Sequence, residues 1–212
     1  MSVLRRIGIV GDVHAEDAFL EIALCFLHTQ NVDAILCTGD VVDGPDDANK
    51  CCELLQRFGV HVVRGNHDRW ILANEMRSLP DADTLLSLSE STRNYLKNLP
   101  LTLHFQTVAG DLLLCHGLGN NDMARLTPDD YGCALEMNQE LQQLLRSDFR
   151  VVVAGHTHKR MVRKIDGVTF INAGTLFHKH SPCFAMIDFE TSEVQFFDFV
   201  DGEIVASQKF DA

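Results

Sequence analysis

Seven side chains of metal-ligand type stand in five short clusters: Asp12 with His14, then Asp40, Asn66, His116, and His156 with His158. Each cluster directly follows an apolar run and has a glycine within it or beside it. The densest is Gly65-Asn66-His67-Asp68, placed after Val60-His61-Val62-Val63. An apolar run of that length reads as a buried strand, so the polar group sits at the strand's C-terminal end. Burying Asn, His and Asp together is costly unless each finds a partner, and the apolar neighbours supply none. Five strand ends carrying such groups read as one site. Asp12 and His14 are two apart, as are His156 and His158, and in extended backbone that spacing aims both side chains of a pair to one face. Imidazole and carboxylate without thiolate suit manganese, iron, zinc or nickel, with manganese the first expectation. One bridging carboxylate would hold two divalent ions roughly 3.5–4 Å apart, the spacing of two-metal hydrolytic sites.

The elements that must position these groups follow a simple order. Residues 6–10, 33–37 and 60–63 read as strands, separated by helices over 15–30 and from Asp46-Asp47 onward. Short connections in a β-α-β-α-β pattern predict parallel strands, which gather ligands outside their carboxyl ends. Residues 70–99 read as mostly helical, with Ser87 and Glu90 spaced as a capping box, and Pro100 ends them. Strands are expected at 101–105, 112–115 and 151–154, with a turn-rich loop over 119–130 near the site. A helix from Thr127 would carry the stripe Met137, Leu141, Leu144, Leu145. The last quarter reads as strands at 168–171, 183–189 and 194–200, and Asp201-Gly202 is a hairpin signal. A mostly parallel part followed by an antiparallel one predicts an α/β fold of two mixed sheets packed face to face, with helices outside. No linker divides the chain, so residues 1–212 are read as one domain.

The 212 residues carry a formal net charge of −12, which argues against a protein tracking along extended nucleic acid. The seven cysteines form no C-x-x-C pair, and Cys37, Cys52, Cys115 and Cys183 lie in apolar patterns. Free thiols in a reducing, cytoplasmic setting are therefore expected rather than a disulfide framework. No stretch approaches the roughly 20 apolar residues of a membrane span. The composition leaves the oligomeric state open.

Taken in order, D-x-H, G-D-x-x-D, G-N-H-D, H-G and G-H-x-H resemble the calcineurin-like metallophosphoesterase superfamily, from Gly11 to His158. The resemblance implies a four-layer α/β/β/α sandwich. It implies that Asp12, His14, Asp40 and His158 hold one metal, that Asp40, Asn66, His116 and His156 hold the other, and that Asp40 is the bridge. It further implies that His67 donates a proton to the leaving-group oxygen and that Asp43 orients its ring. That role is chemically reasonable, since an alkoxide is a poor leaving group and imidazole titrates near neutral pH. Arg64 is a candidate contact for the substrate phosphate, beside Asn66, because guanidinium matches that geometry. A solvated strand-end arginine is the other reading. Asp68 is read as holding the turn, and His178-Lys179-His180 as a surface loop with substrate contact left open, since Asn172-Ala173-Gly174-Thr175 just upstream resembles the family's last, structural motif.

One position departs from the pattern. Protein Ser/Thr phosphatases of the superfamily carry Arg directly after the second Asp of G-D-x-x-D, where this chain has Gly44. The expected activity is hydrolysis of a small phosphodiester such as a cyclic nucleotide or dinucleotide by a metal-activated water. The alternatives are a phosphomonoesterase or protein phosphatase, and a non-catalytic scaffold of the same fold.

Overall fold

Runs rich in Val, Ile, Leu and Cys pair as interior strands, and short polar connections between them favour packed layers. The structure, a computed structural model, describes residues 3–211; residues 1, 2 and 212 of the expected domain lie outside the described residues. The strands are β1 (Arg6–Val10), β2 (Ala34–Cys37), β3 (His61–Val62), β4 (Thr102–Thr107), β5 (Gly110–Cys115), β6 (Phe149–Ala154), β7 (Met161–Ile165), β8 (Val168–Asn172), β9 (Cys183–Asp188), β10 (Glu193–Val200) and β11 (Glu203–Asp211). The helices are α1 (Asp17–Thr29), α2 (Ala48–Arg57), α3 (Asn66–Ala73), α4 (Glu90–Asn98), α5 (Cys133–Glu136) and α6 (Gln139–Leu145). One sheet has the order β11-β10-β9-β1-β2-β3 and the other β4-β5-β6-β8-β7. Both are mixed. Strands β1, β2 and β3 run parallel, as do β5, β6 and β8, and antiparallel strands complete each sheet.

Alternation along the strands decides what each face packs against. Ile7 and Ile9 of β1 meet Leu112 and Leu114 of β5, Val151 and Val153 of β6, and Phe196 of β10 in a core between the sheets. Leu113 and Cys115 point the other way, onto Leu141 and Leu144 of α6. Outside the first sheet, Leu20, Leu24 and Leu27 of α1 join Leu55 of α2, Leu96 of α4 and Phe184 of β9. Three cores between four layers give the α/β/β/α sandwich expected from the resemblance.

Several boundaries differ from expectation. Residues 70–99 are helical only in α3 and α4, because Asn74 and Met76 take left-handed backbone, φ +56° and +53°, and Pro80 cannot donate to a helix. The N-cap of α4 is Ser89, which accepts from the Thr92 N–H at 3.1 Å, rather than Ser87. The helix expected from Thr127 begins at Cys133 and breaks before Gln139, leaving Met137 80% exposed and outside the stripe. A turn precedes it, in which the Thr127 N–H donates to Asp130 Oδ2 at 2.7 Å. Strand β3 is two residues long, at the sheet edge. Strand β7 was not foreseen, although Asp166-Gly167 carries the same turn signal as Asp201-Gly202. Both pairs have positive φ at both positions and close two-residue hairpins.

All seven cysteines are unpaired, and Cys51 joins the four expected in the interior. No helix among the described residues is long and apolar enough to cross a membrane.

Phe196 is fully buried between the sheets. Phe196→Ala should lower the unfolding free energy by about 3–5 kcal/mol in urea titration. A loss below about 1 kcal/mol would show that this core does not hold the layers together.

Candidate metal centre

Five of the six parallel strands end in a turn that carries one cluster. Strand β1 delivers Asp12 and His14, β2 delivers Asp40 and Asp43, and the β3 connection delivers Asn66 and His67 at the start of α3. From the second sheet, β5 delivers His116 and β6 delivers His156 and His158. The backbone at these ends is not extended. His14, Asp40, Asp43, His156 and His158 have φ of +48°, +47°, +66°, +67° and +57°. Left-handed backbone costs a non-glycine residue about 1–3 kcal/mol and persists only where its surroundings enforce it. The Asp12/His14 and His156/His158 pairs therefore converge through strained turns, not through the extended backbone expected from their spacing.

The structure brings all seven sequence-predicted ligand residues together. Asp40, buried, has Oδ2 at 3.3 Å from His116 Nε2 and 3.9 Å from His14 Nε2. Its other oxygen accepts the His67 backbone N–H at 2.8 Å. On one side, His14 Nε2 and His158 Nε2 face one another at 3.0 Å, and Asp12 Oδ2 lies 3.5 Å from His158 Nε2. On the other, Asn66 Oδ1 lies 2.8 Å from His116 Nε2 and 2.9 Å from His156 Nδ1.

The tautomers follow from what lies behind the rings. His14 Nδ1 is 3.0 Å from the Asp43 carbonyl and His116 Nδ1 is 2.7 Å from the Thr38 carbonyl, so each Nδ1–H donates outward. In their neutral form these rings turn their Nε2 lone pairs inward. Lone pairs of imidazole, carboxylate and amide oxygen thus crowd two adjoining points around Asp40 Oδ2. Asp12 Oδ2 is buried without a hydrogen-bond partner. Such a cluster is suited to a cation, and its donor set would fit a pair of divalent ions that share Asp40. Asp12, His14 and His158 would hold one ion, Asn66, His116 and His156 the other.

The buried carboxylates set the charge states within the cluster. Burial pulls His116 down, but the carboxylates of Asp40 and Asp12 outweigh it and push it up to about 10. Burial pushes Asp40 up, yet the surrounding imidazoles of His116, His67 and His14 hold it well below the usual carboxylate range. Burial lowers His158 to about 4 and also lowers His156, so both offer neutral rings. Burial and the Asp40 charge raise Asp68, whose oxygens accept the Gly65 and Val41 N–H groups at 2.9 and 2.8 Å. Asp68 thereby ties the β2 turn to the start of α3.

His67 lies at the edge of this cluster, with one ligand atom within 4.8 Å of those on His14 and Asp40. Its Nδ1 donates to Asp43 Oδ2 at 2.7 Å, and Nε2 has no partner among the described residues. Burial pulls its pKa down, and the Asp43 hydrogen bond with the nearby carboxylates raises it above the ordinary value on balance. Asp43 is gripped from behind by Arg77 through two bonds of 2.7 and 2.9 Å. Sequence reasoning missed Arg77 because it lies in irregular chain with no periodic pattern. It also missed Thr38, whose hydroxyl donates to Asp12 Oδ1 at 3.1 Å, and His180, whose Nδ1 faces His158 Nδ1 at 2.8 Å. The 178–180 segment is exposed, yet through His180 it touches the site. The loop over 119–130 is tethered to α3 by Arg69 and Asp122, 2.6 and 3.0 Å apart at two contacts. Arg64 stands apart. Among the described residues its side chain bonds no site residue, and its backbone N–H donates to the Pro100 carbonyl at 2.8 Å.

Known proteins share this fold. The sequence profile of the calcineurin-like phosphoesterase superfamily domain matches residues 6–192. The chain belongs to the calcineurin-like phosphoesterase superfamily. Among its members, an uncharacterized metallophosphoesterase of Campylobacter jejuni is 29% identical over 170 residues, covering 72% of this chain and 44% of that protein. An uncharacterized Methanocaldococcus jannaschii protein matches over 30% of its own length, so this chain spans less than half of the matched curated relatives. A metallophosphoesterase from Sphaerobacter thermophilus superposes with a TM-score of 0.66 at 23% identity, covering 92% of this chain and 87% of that one. Vps29 from Entamoeba histolytica, solved with zinc, gives 0.59 at 20% identity over 97% and 98% of the two chains. An archaeal phosphodiesterase gives 0.57 at 17% identity over 94% and 99%. These likenesses establish the fold.

Asp40→Ala should abolish binding of both ions, read as metal content per chain after dialysis against manganese, and a retained pair would contradict the bridging role. Arg77→Met removes one partner of a mostly buried ion pair. It should cost about 3 kcal/mol of stability, measured by urea titration, while two ions per chain remain bound.

Proposed function

We propose that the chain is a binuclear metal-dependent phosphoesterase acting on a small phosphodiester, with His67 as general acid. The observation that carries this reading is the Arg77–Asp43–His67 chain beside the cluster of inward lone pairs. It fixes the imidazole by Nδ1 and leaves Nε2 free at the edge of the site. When bound, two divalent ions supply a water activated near neutral pH and neutralise charge gathering on phosphorus. The protein's own groups do the rest. His67 gives its Nε2 proton to the departing oxygen, a contribution of about 10²–10⁴-fold in comparable enzymes. Asp43 keeps Nδ1 protonated and the ring in place, and Arg77 keeps Asp43 charged and still. Asn66 stands beside His67, close to where the phosphoryl group would lie, whereas Arg64 has no supporting contact for such a role.

Two features support a diester over a monoester. A side chain at Gly44 would collide with the His14 carbonyl oxygen, so the backbone has no room for an arginine at the position that grips phosphomonoesters in the family's protein phosphatases. Three cations near the site are also already engaged: Arg77 by Asp43, Arg69 by Asp122, and Lys179 by Asp81. A singly charged diester asks less of such a site than a dianion does. Manganese is the preferred ion on donor chemistry. The unpaired cysteines support a reducing, cytoplasmic setting. The net charge of −12 favours a small-molecule substrate over extended nucleic acid. The scaffold reading draws on the shared fold with Vps29, and the complete ligand set weighs against it.

Metal-stripped protein should regain hydrolysis of an aryl phosphodiester on addition of manganese and turn it over faster than the matching monoester. Monoester preference would overturn the substrate assignment. Two bound ions with no turnover on either would favour the scaffold. His67→Ala should keep both ions yet lose about 10²–10⁴-fold on alkyl leaving groups and much less on nitrophenol. Loss of metal in that variant would make His67 a ligand instead.

A further inference from the structure

A cavity of about 440 Å³ opens beside the metal centre, within the usual range for small-molecule sites. His67, His14 and His158 form its inner end, and its walls come from Trp70, Leu79, Pro80 and Phe177. The Trp70 ring centroid lies 4.8 Å from that of His67, and the Phe177 ring centroid 5.5 Å from that of His14. At the rim, Lys179 Nζ bonds Asp81 at 2.8 Å and lies 5.4 Å over the Phe177 ring. The cavity therefore presents aromatic and aliphatic carbon, and the charges around it are paired with one another. A second phosphate or a carboxylate would find no free cation there. Because His67 lines this cavity, a leaving group protonated by His67 would have the cavity beside it to occupy.

The geometry points to a leaving-group subsite for a flat, uncharged aromatic body, the base of a nucleoside or an aryl alcohol, packed against Trp70 and Phe177. The inference rests on the reading of His67 as proton donor. Stacking of a base on an aromatic side chain is worth about tenfold or more in affinity.

Trp70 is the only tryptophan of the chain, so its fluorescence reports on the cavity directly. The probes are methyl esters of phosphonates in which a methylene replaces the leaving oxygen and carries an adenosine ribose, a naphthyl ring or an ethyl group. Titrated into the manganese-loaded protein, at least one aromatic probe should quench Trp70 and bind about tenfold or more tighter than the ethyl probe. Tighter adenosine binding assigns a nucleoside, and tighter naphthyl binding an aryl alcohol. Phe177→Ala should cost the aromatic probes about tenfold and the ethyl probe under about twofold, while Phe177→Leu, which preserves the packing volume, separates this from misfolding. Equal affinities, no binding, or binding without a change in Trp70 emission would overturn the subsite. Metal-dependent diester hydrolysis combined with equal affinities would sink the subsite and keep the proposed activity. Aromatic preference without any hydrolysis would leave an aromatic-binding cavity and overturn both the activity and the leaving-group role.

Discussion

The arrangement depends on one buried conflict: with the imidazoles neutral, hydrogen-bond acceptors face one another with too few hydrogens between them. Asp40 Oδ2, Asn66 Oδ1 and the Nε2 atoms of His14, His116 and His158 all turn inward, because backbone carbonyls of Asp43 and Thr38 occupy the outer nitrogens of two of the rings. In a low-dielectric interior such mutual exposure is expensive, and a cation relieves it. The strained turns at the strand ends add to the cost. A fold that keeps them has to resist relaxation elsewhere.

The sandwich provides that resistance through its layering. The core between the sheets, with Ile7, Ile9, Leu112, Leu114, Val151 and Val153, holds the carboxyl ends of two parallel triplets in fixed relation. The turns are then laced together by polar side chains. Asp68 joins the β2 turn to α3, Thr175 donates its hydroxyl to the Asp12 carbonyl at 2.7 Å, and Asn172 donates to the Gly155 carbonyl at 2.7 Å. At Gly65 there is room for no side chain, since a Cβ would strike the Asp40 carboxylate. Charge placement follows packing, and the chemistry follows from both.

Much of this was legible in the sequence. Each ligand follows an apolar run, so strand ends could be located from periodicity, and the order of motifs carried the fold. Asp201-Gly202 announced its hairpin, and Asp166-Gly167 carried the same signal for β7. Other features were hidden for physical reasons. Arg77 reaches Asp43 across 34 positions from an irregular segment, where no pattern constrains a side chain's direction. Thr38 and His180 act by orienting other groups, through contacts that depend on tertiary geometry. The strained φ values escaped notice because spacing alone suggests extended backbone, whereas the turns that deliver His14 and His158 are compact. Helical propensity over 70–99 was overridden where Asn74 ends α3 and the chain turns through Leu79 and Pro80 to wall the cavity.

The most direct test of the central claim is electron paramagnetic resonance on protein loaded with two equivalents of manganese. Ions bridged by Asp40 should give an exchange-coupled signal distinct from that of isolated manganese, with a stoichiometry of two per chain. A spectrum of uncoupled ions, or saturation at one, would contradict a centre built around that carboxylate.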